Sequence, residues 1–331
     1  MKRSVFLALL LFTLNLSSLI ALQSHDGILI NEEDNVGFTI EPSFGYLKGE
    51  TREIVYLHAL TSTYLSELIW DMKDILYAGA SASINFKNRI YLNLGLWAAV
   101  NSGNGFMMDF DWISGEIESD GYDRENWTRW SMSSVDMVSS FIFDLNVSYD
   151  FLLNRDIKFS AIFGYKSLYW DWSDKVIDSF YDGVADVIPV GIDGIDYQLG
   201  LDIFYLGIGG GYFSKGFILD GRIIYSPFVF GGDHDHHILR NTFPDGSPTY
   251  GGIHFFDKIL FGQYAAFSIK SGYSFSNNFT LTFQISAEYL FERRGDTYIY
   301  DNLGNYKGKS PGEAGIQYQT ISFSLNAAFS F

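Results

Sequence analysis

The segment Gly231-Gly232-Asp233-His234-Asp235-His236-His237 packs two carboxylates and three imidazoles into consecutive positions. In an extended strand successive side chains point to opposite faces, so Asp233, Asp235 and His237 share one face while His234 and His236 take the other. A carboxylate beside an imidazole makes a general base, because it orients the ring and stabilises the imidazolium formed when the ring takes a proton. A second acidic pair, Asp109 and Asp111 in Met108-Asp109-Phe110-Asp111-Trp112, obeys the same alternation. Two carboxylates that close cannot both ionise freely, so one holds a proton and helps to place a water or to protonate a leaving group. Facing each other across a cavity, the two faces would make a hydrolytic site whose nucleophile is an activated water. Imidazole and carboxylate also suit zinc, which leaves a zinc-dependent hydrolase as the alternative chemistry.

Strands must position these residues, and the composition favours them. Aromatic residues make up 18% of the chain, with 33 Gly and only 6 Pro, a balance that suits pleated surfaces better than helices. With 0 Cys there is neither a disulfide framework nor a thiolate nucleophile or ligand. A formal net charge of -17 excludes nucleic acid as the main partner and fits cationic peptide or protein substrates. At the start, Lys2 and Arg3 precede a largely apolar run from Val5 to Ile20, and Ala21 marks a plausible cleavage point. Residues 1–22 are therefore read as a secretory signal peptide and 23–331 as a single domain.

The rest of the chain repeats one pattern. Phe279, Leu281, Phe283, Ile285, Ala287, Tyr289 and Phe291 alternate with Thr280, Thr282, Gln284, Ser286 and Glu288. Ile321 to Phe331 and Phe141 to Phe151 do the same. Such strands, behind an export signal, fit a transmembrane antiparallel barrel that turns its oily face to lipid and its polar face to the lumen. Tight turns are expected at Lys87-Asn88, Leu153-Asn154-Arg155, Ser214-Lys215 and Ser276-Asn277-Asn278, and long loops at 114–134, 174–196, 233–257 and 293–313. Short turns at one end and long loops at the other are the asymmetry of outer-membrane barrels, and the count comes to about ten strands.

Parity then tests the chemistry. Ile90, Leu92, Leu94 and Leu96 set even positions toward lipid, so Asp109 and Asp111 inherit the lumen face, unless Gly103 or Gly105 shifts the count. Further on, Asp220 and Arg222 make even positions inward, which would turn Asp233, Asp235 and His237 outward. A one-residue bulge between Ser226 and Asp233 reverses this, and Pro227 with Gly231-Gly232 supplies places for it.

In their order, these segments resemble the omptin family of outer-membrane proteases. The resemblance rests on Gly49-Glu50-Thr51-Arg52-Glu53-Ile54-Val55-Tyr56-Leu57, Trp70, Asp109-Phe110-Asp111-Trp112, Phe143-Asp144-Leu145-Asn146 and Tyr225-Ser226 leading to the Asp/His cluster. It implies an aspartic-type endopeptidase at the external mouth of the barrel, with Asp109, Asp111, Asp235 and His237 catalytic and no metal or cofactor. It further implies that Glu53 and Asp233 bind a basic side chain before the scissile bond, with a preference for paired basic residues. Outer-membrane lipid and the barrel-assembly machinery are the implied partners. Lipopolysaccharide or another glycolipid is an implied activator, although Gly164-Tyr165-Lys166-Ser167-Leu168-Tyr169 keeps only the Gly-Tyr start of the family's lipid-binding region. Trp70 and Trp112 are expected at the wall or groove edge. A catalytically idle barrel, porin or adhesin, is the alternative from another class.

Overall fold

The computed structural model describes residues 36–112, 127–243 and 246–331; the signal peptide expected at 1–22 and most of the loop after Trp112 lie outside them. Among the described residues twelve strands follow one another: β1 (Val36–Tyr56), β2 (Tyr64–Phe86), β3 (Ile90–Ala99), β4 (Phe106–Asp111), β5 (Arg129–Leu153), β6 (Ile157–Tyr181), β7 (Val184–Ala185), β8 (Ile195–Ser214), β9 (Phe217–His237), β10 (Ile253–Ser276), β11 (Phe279–Asp301) and β12 (Tyr306–Ser330). Except for β3 with β4 and β7 with β8, neighbours in sequence pair antiparallel, and β1 pairs with β12 to close the ring. Both β3 and β4 lie between β2 and β5, so they are two halves of one stave. β7 is a two-residue flap on the end of β6, which leaves the ten staves that the alternation predicts.

Turn chemistry fixes one rim. Lys87 and Asn88 both have positive φ (51° and 54°), as does the pair Lys215 and Gly216 (50° and 86°), the backbone that joins two twisted strands through two residues. Asn154 Oδ1 accepts from the N–H groups of Asp156 (3.0 Å) and Ile157 (2.8 Å), closing a third turn.

The far rim departs from expectation. Strands run on well into the segments read as loops: β6 reaches Tyr181, β9 reaches His237, β11 reaches Asp301 and β5 starts at Arg129. Staves such as β5, β6 and β12, of 25 residues each, are more than twice the roughly 9–11 residues a tilted strand needs to span a bilayer. The surplus stands in water, where the hydrophobic face must invert. Along β6 the outward residues pass from Phe159 and Phe163 to Asp171, Ser173 and Lys175, while the inward ones pass from Lys158 and Ser160 to Leu168, Trp170 and Trp172. Along β12 the outward residues are Leu325 and Phe329 at one end and Gln317 and Gln319 at the other. The lower barrel therefore shows an apolar belt to lipid and encloses a polar lumen, with a cavity of about 420 Å³ crossed by Lys158–Asp220, Lys270–Glu41 and Lys166–Glu288 ion pairs. The upper barrel is packed inside like a soluble protein. Its centre is an aromatic layer, with Trp70 stacked on Tyr197 at 4.8 Å, Tyr197 against Trp172 at 5.6 Å and Trp172 against Trp170 at 6.2 Å. These side chains occupy the lumen at the height where a porin keeps a water-filled path. Trp70 is thus fully buried in that layer, not at a groove edge.

Candidate active site

The first wall comes from β2 and β4. β3 and β4 are separated by residues 100–105, and odd positions face inward on both; the parity switch falls instead on β2, which spends three residues (Met72 to Ile75) where β1 spends two and where Asp74 adopts φ 53°. Met107 and Asp109 are buried, and Asp111 continues the same face. Ser66, on the neighbouring β2, donates from Oγ to Asp109 Oδ1 over a long 3.4 Å. Burial first, and then the charge of Asp111, hold the Asp109 carboxyl well above the ordinary carboxylate range. Burial also raises Asp111, against the pull of Ser66, His237, Arg240 and Arg129. Asp109 and Asp111 both feel the charge of His237, so the two walls face each other.

The second wall depends on the bulge expected in β9, and it is present. Tyr264 of β10 pairs with Ser226 and Gly262 with Val229, so β9 spends three residues where β10 spends two. Register against β8 slips at the same place, between Phe204 and Leu206. Ser226 and Val229 are both buried while Phe228 faces outward, and the Phe228 N–H donates to Ser226 Oγ at 3.0 Å. After the bulge odd positions point inward. Gly232 follows because no side chain fits there: a Cβ would lie 1.8 Å from the Asp257 carbonyl oxygen of β10.

Asp233 and Asp235 are buried as a result, and His237 Nε2 lies 2.6 Å from Asp235 Oδ2. The edge of the Phe255 ring abuts the imidazole at 5.3 Å and 81°. Burial lowers the His237 pKa, but the Asp235 carboxylate more than offsets it, so the ring titrates above its ordinary value. His234 and His236 lie on the outer wall, where both stack on His254. Among the described residues no three His, Asp or Glu side chains are placed to hold a metal ion.

Glu53 arrives from β1, buried, with Oε2 lacking any hydrogen bond. Tyr197 donates to Asp233 Oδ2 at 3.0 Å, leaving Oδ1 without a partner. Burial and then neighbouring carboxylates push both acids well up: for Glu53 the charges of Asp235 and Asp233 lead, for Asp233 those of Asp257 and Asp235. All six residues proposed from sequence are therefore drawn to one mouth. They stand beyond the apolar belt, whose upper edge on β9 is Phe228, against the aromatic layer. Two neighbours were missed. Tyr197 sits in an ordinary alternating strand and had no signal. Asp257 lies directly across β9 and β10 from Asp233, a register that a sequence with a long intervening loop does not give. In the stretch that the resemblance links to lipopolysaccharide, Lys166 turns inward to Glu288 and Tyr165 donates to Asp202 outside.

A closed antiparallel barrel with a lipid-facing belt, carrying an acid–imidazole cluster in its water-exposed half, defines an outer-membrane barrel of hydrolytic type. A family model described as the Omptin family matches residues 34–331, and the chain belongs to that family. The plasminogen activator of Yersinia pestis is 24% identical over 298 residues, 89% of this chain and 89% of that protein. The outer membrane protease OmpP of Escherichia coli (strain K12) is 24% identical over 299 residues, 88% of this chain and 89% of that protein. In fold, the chain matches the crystal structure of the outer membrane protease OmpT from Escherichia coli with a TM-score of 0.76 at 23% identity, over 91% of this chain and all of that one.

Proposed function

We propose that this chain is an outer-membrane endopeptidase of aspartic type, cleaving after basic residues with a water activated between two walls. The observation that carries the reading is the 2.6 Å Asp235–His237 contact facing the pair of buried Asp109 and half-buried Asp111. With Nε2–H donating to Asp235, Nδ1 is the free base nitrogen that takes a proton from water as its oxygen attacks the scissile carbonyl. Asp109, kept protonated by burial beside Asp111, donates to the developing oxyanion or to water and lowers the charge building there. The tetrahedral species then collapses, and the imidazolium returns its proton to the departing amine. Glu53 and Asp233 hold the cationic side chain that precedes the bond.

Cleavage of a fluorogenic peptide with paired basic residues, by protein purified from outer membranes, is the test. His237→Ala and Asp235→Ala are each expected to cut kcat/KM by about 10²–10⁴, the usual share of a general base, while a zinc chelator leaves the wild type unchanged. Full activity in His237→Ala would overturn the mechanism, and loss with the chelator would favour the zinc-dependent alternative.

A further inference from the structure

Three carboxylates, not two, line the wall where the basic side chain would be held. Asp257 is opposite Asp233 in the β9–β10 register, and directly paired residues of antiparallel strands present their side chains on the same face. It is 5% exposed, and neither of its carboxylate oxygens is held by a well-formed hydrogen bond, although the Thr297 hydroxyl lies close enough to act on its charge. Together with Glu53 Oε2 and Asp233 Oδ1 that makes four buried acceptor atoms left open on three strands. Among the described residues no Lys or Arg forms an ion pair with Glu53, Asp233 or Asp257. Lys258, next in sequence, pairs with Gly232 and alternates to the opposite face. Burying carboxylates without a cation is costly, and a fold that keeps three of them together has an arrangement suited to receiving one.

We infer that Asp257 is a specificity-determining residue of the cation pocket, and that its added acceptors favour an arginine guanidinium over a lysine ammonium before the scissile bond. This rests on the protease reading above. Four open acceptors exceed the three donors of an ammonium but suit the five N–H groups of a guanidinium, which bind carboxylates in parallel pairs. Burial, with Asp235 adding and the Thr297 hydroxyl opposing, lifts the Asp257 carboxyl to about 7, so it gives up its proton readily when a cation arrives.

The experiment compares Asp257→Asn and Asp257→Ser with the wild type on matched peptides carrying Arg or Lys at the cleavage position. It also measures binding of N-acetyl-argininamide and N-acetyl-lysinamide by calorimetry. Heat-modifiable gel mobility confirms folding. Both variants are expected to lose about tenfold to a hundredfold in kcat/KM on the Arg peptide, the worth of a charged hydrogen bond, and only a few-fold on the Lys peptide. Argininamide affinity should fall in parallel. An Arg-to-Lys ratio unchanged in both variants, with wild-type argininamide binding, overturns the inference while leaving the protease reading intact. Failure of the wild type to cleave any dibasic peptide sinks that reading instead, and the amide affinities then still decide whether Asp257 selects guanidinium.

Discussion

A buried imidazole ordinarily gives up its proton early, and His237 does the reverse because the Asp235 carboxylate lies 2.6 Å from Nε2. The base form of the ring is therefore populated only as pH climbs above the ordinary value of 6.5, and the acid limb of kcat/KM is expected on that side. Asp235→Asn leaves burial and the Arg240 charge opposed only by Asp109: the limb should move to lower pH while kcat falls by about 10²–10⁴, and a limb that stays in place would show that His237 is not the titrating base. Stability follows the same signs. The raised His237 pKa contributes stability that is complete below pH 6.5 and lost as pH rises through the folded value. Glu53, Asp109 and Asp233, whose folded pKa values are raised, are protonated more readily in the barrel than in the unfolded chain, so ionising them at higher pH also costs stability. Alternation placed Asp109 and Asp111, while Asp233, Asp235 and His237 also needed the bulge in β9. Glu53 needed the family pattern, and Asp257 needed a strand register.

At the scale of the strand, two devices decide whether those residues meet, and only one was legible. The β9 bulge could be deduced, because Arg222 and Asp233 cannot both face a lumen under one parity. The inversion of the hydrophobic face was not, since a strand leaving the bilayer swaps oily and polar sides without changing its period, and its outward polar residues then read as loop. This is why β6, β9 and β11 run past their expected ends. The bulge yields a sharp prediction. Deleting Phe228 restores regular pairing with β8 and turns Asp233, Asp235 and His237 outward, with His234 and His236 in their place. Cleavage should fall to background while heat-modifiable mobility still reports a closed barrel. Retained activity in the deletion would mean that the strand recovers its parity elsewhere. The Pro227 ring, which carries no N–H, suits the position where pairing is interrupted.

Taken together, the described residues form one barrel folded for two solvents, and the boundary between them sets where chemistry is done. Below it the outer wall carries Leu206 and Ile208, 64% and 62% exposed to what must be lipid, and the lumen is polar. Above it the wall is wet and the interior packed, which gives the carboxylates of the mouth a dry floor of Trp70, Trp172 and Tyr197 and lifts them clear of the bilayer. Were the belt merely a surface of exposed apolar residues, a charge would cost about the same at either height. In a membrane the cost depends on depth. Ile208→Lys, within the belt on β8, is expected to destabilise the barrel in lipid vesicles by about 2–4 kcal/mol, whereas Gln198→Lys, on the same face of the same strand above the boundary, should cost about 0–1 kcal/mol. Reversible denaturant unfolding from vesicles measures both. The activity of the folded fraction should be unchanged for Ile208→Lys, because the packed upper half separates the belt from the site. Equal penalties at the two positions would place the water boundary elsewhere and, with it, the height at which the site opens to solvent.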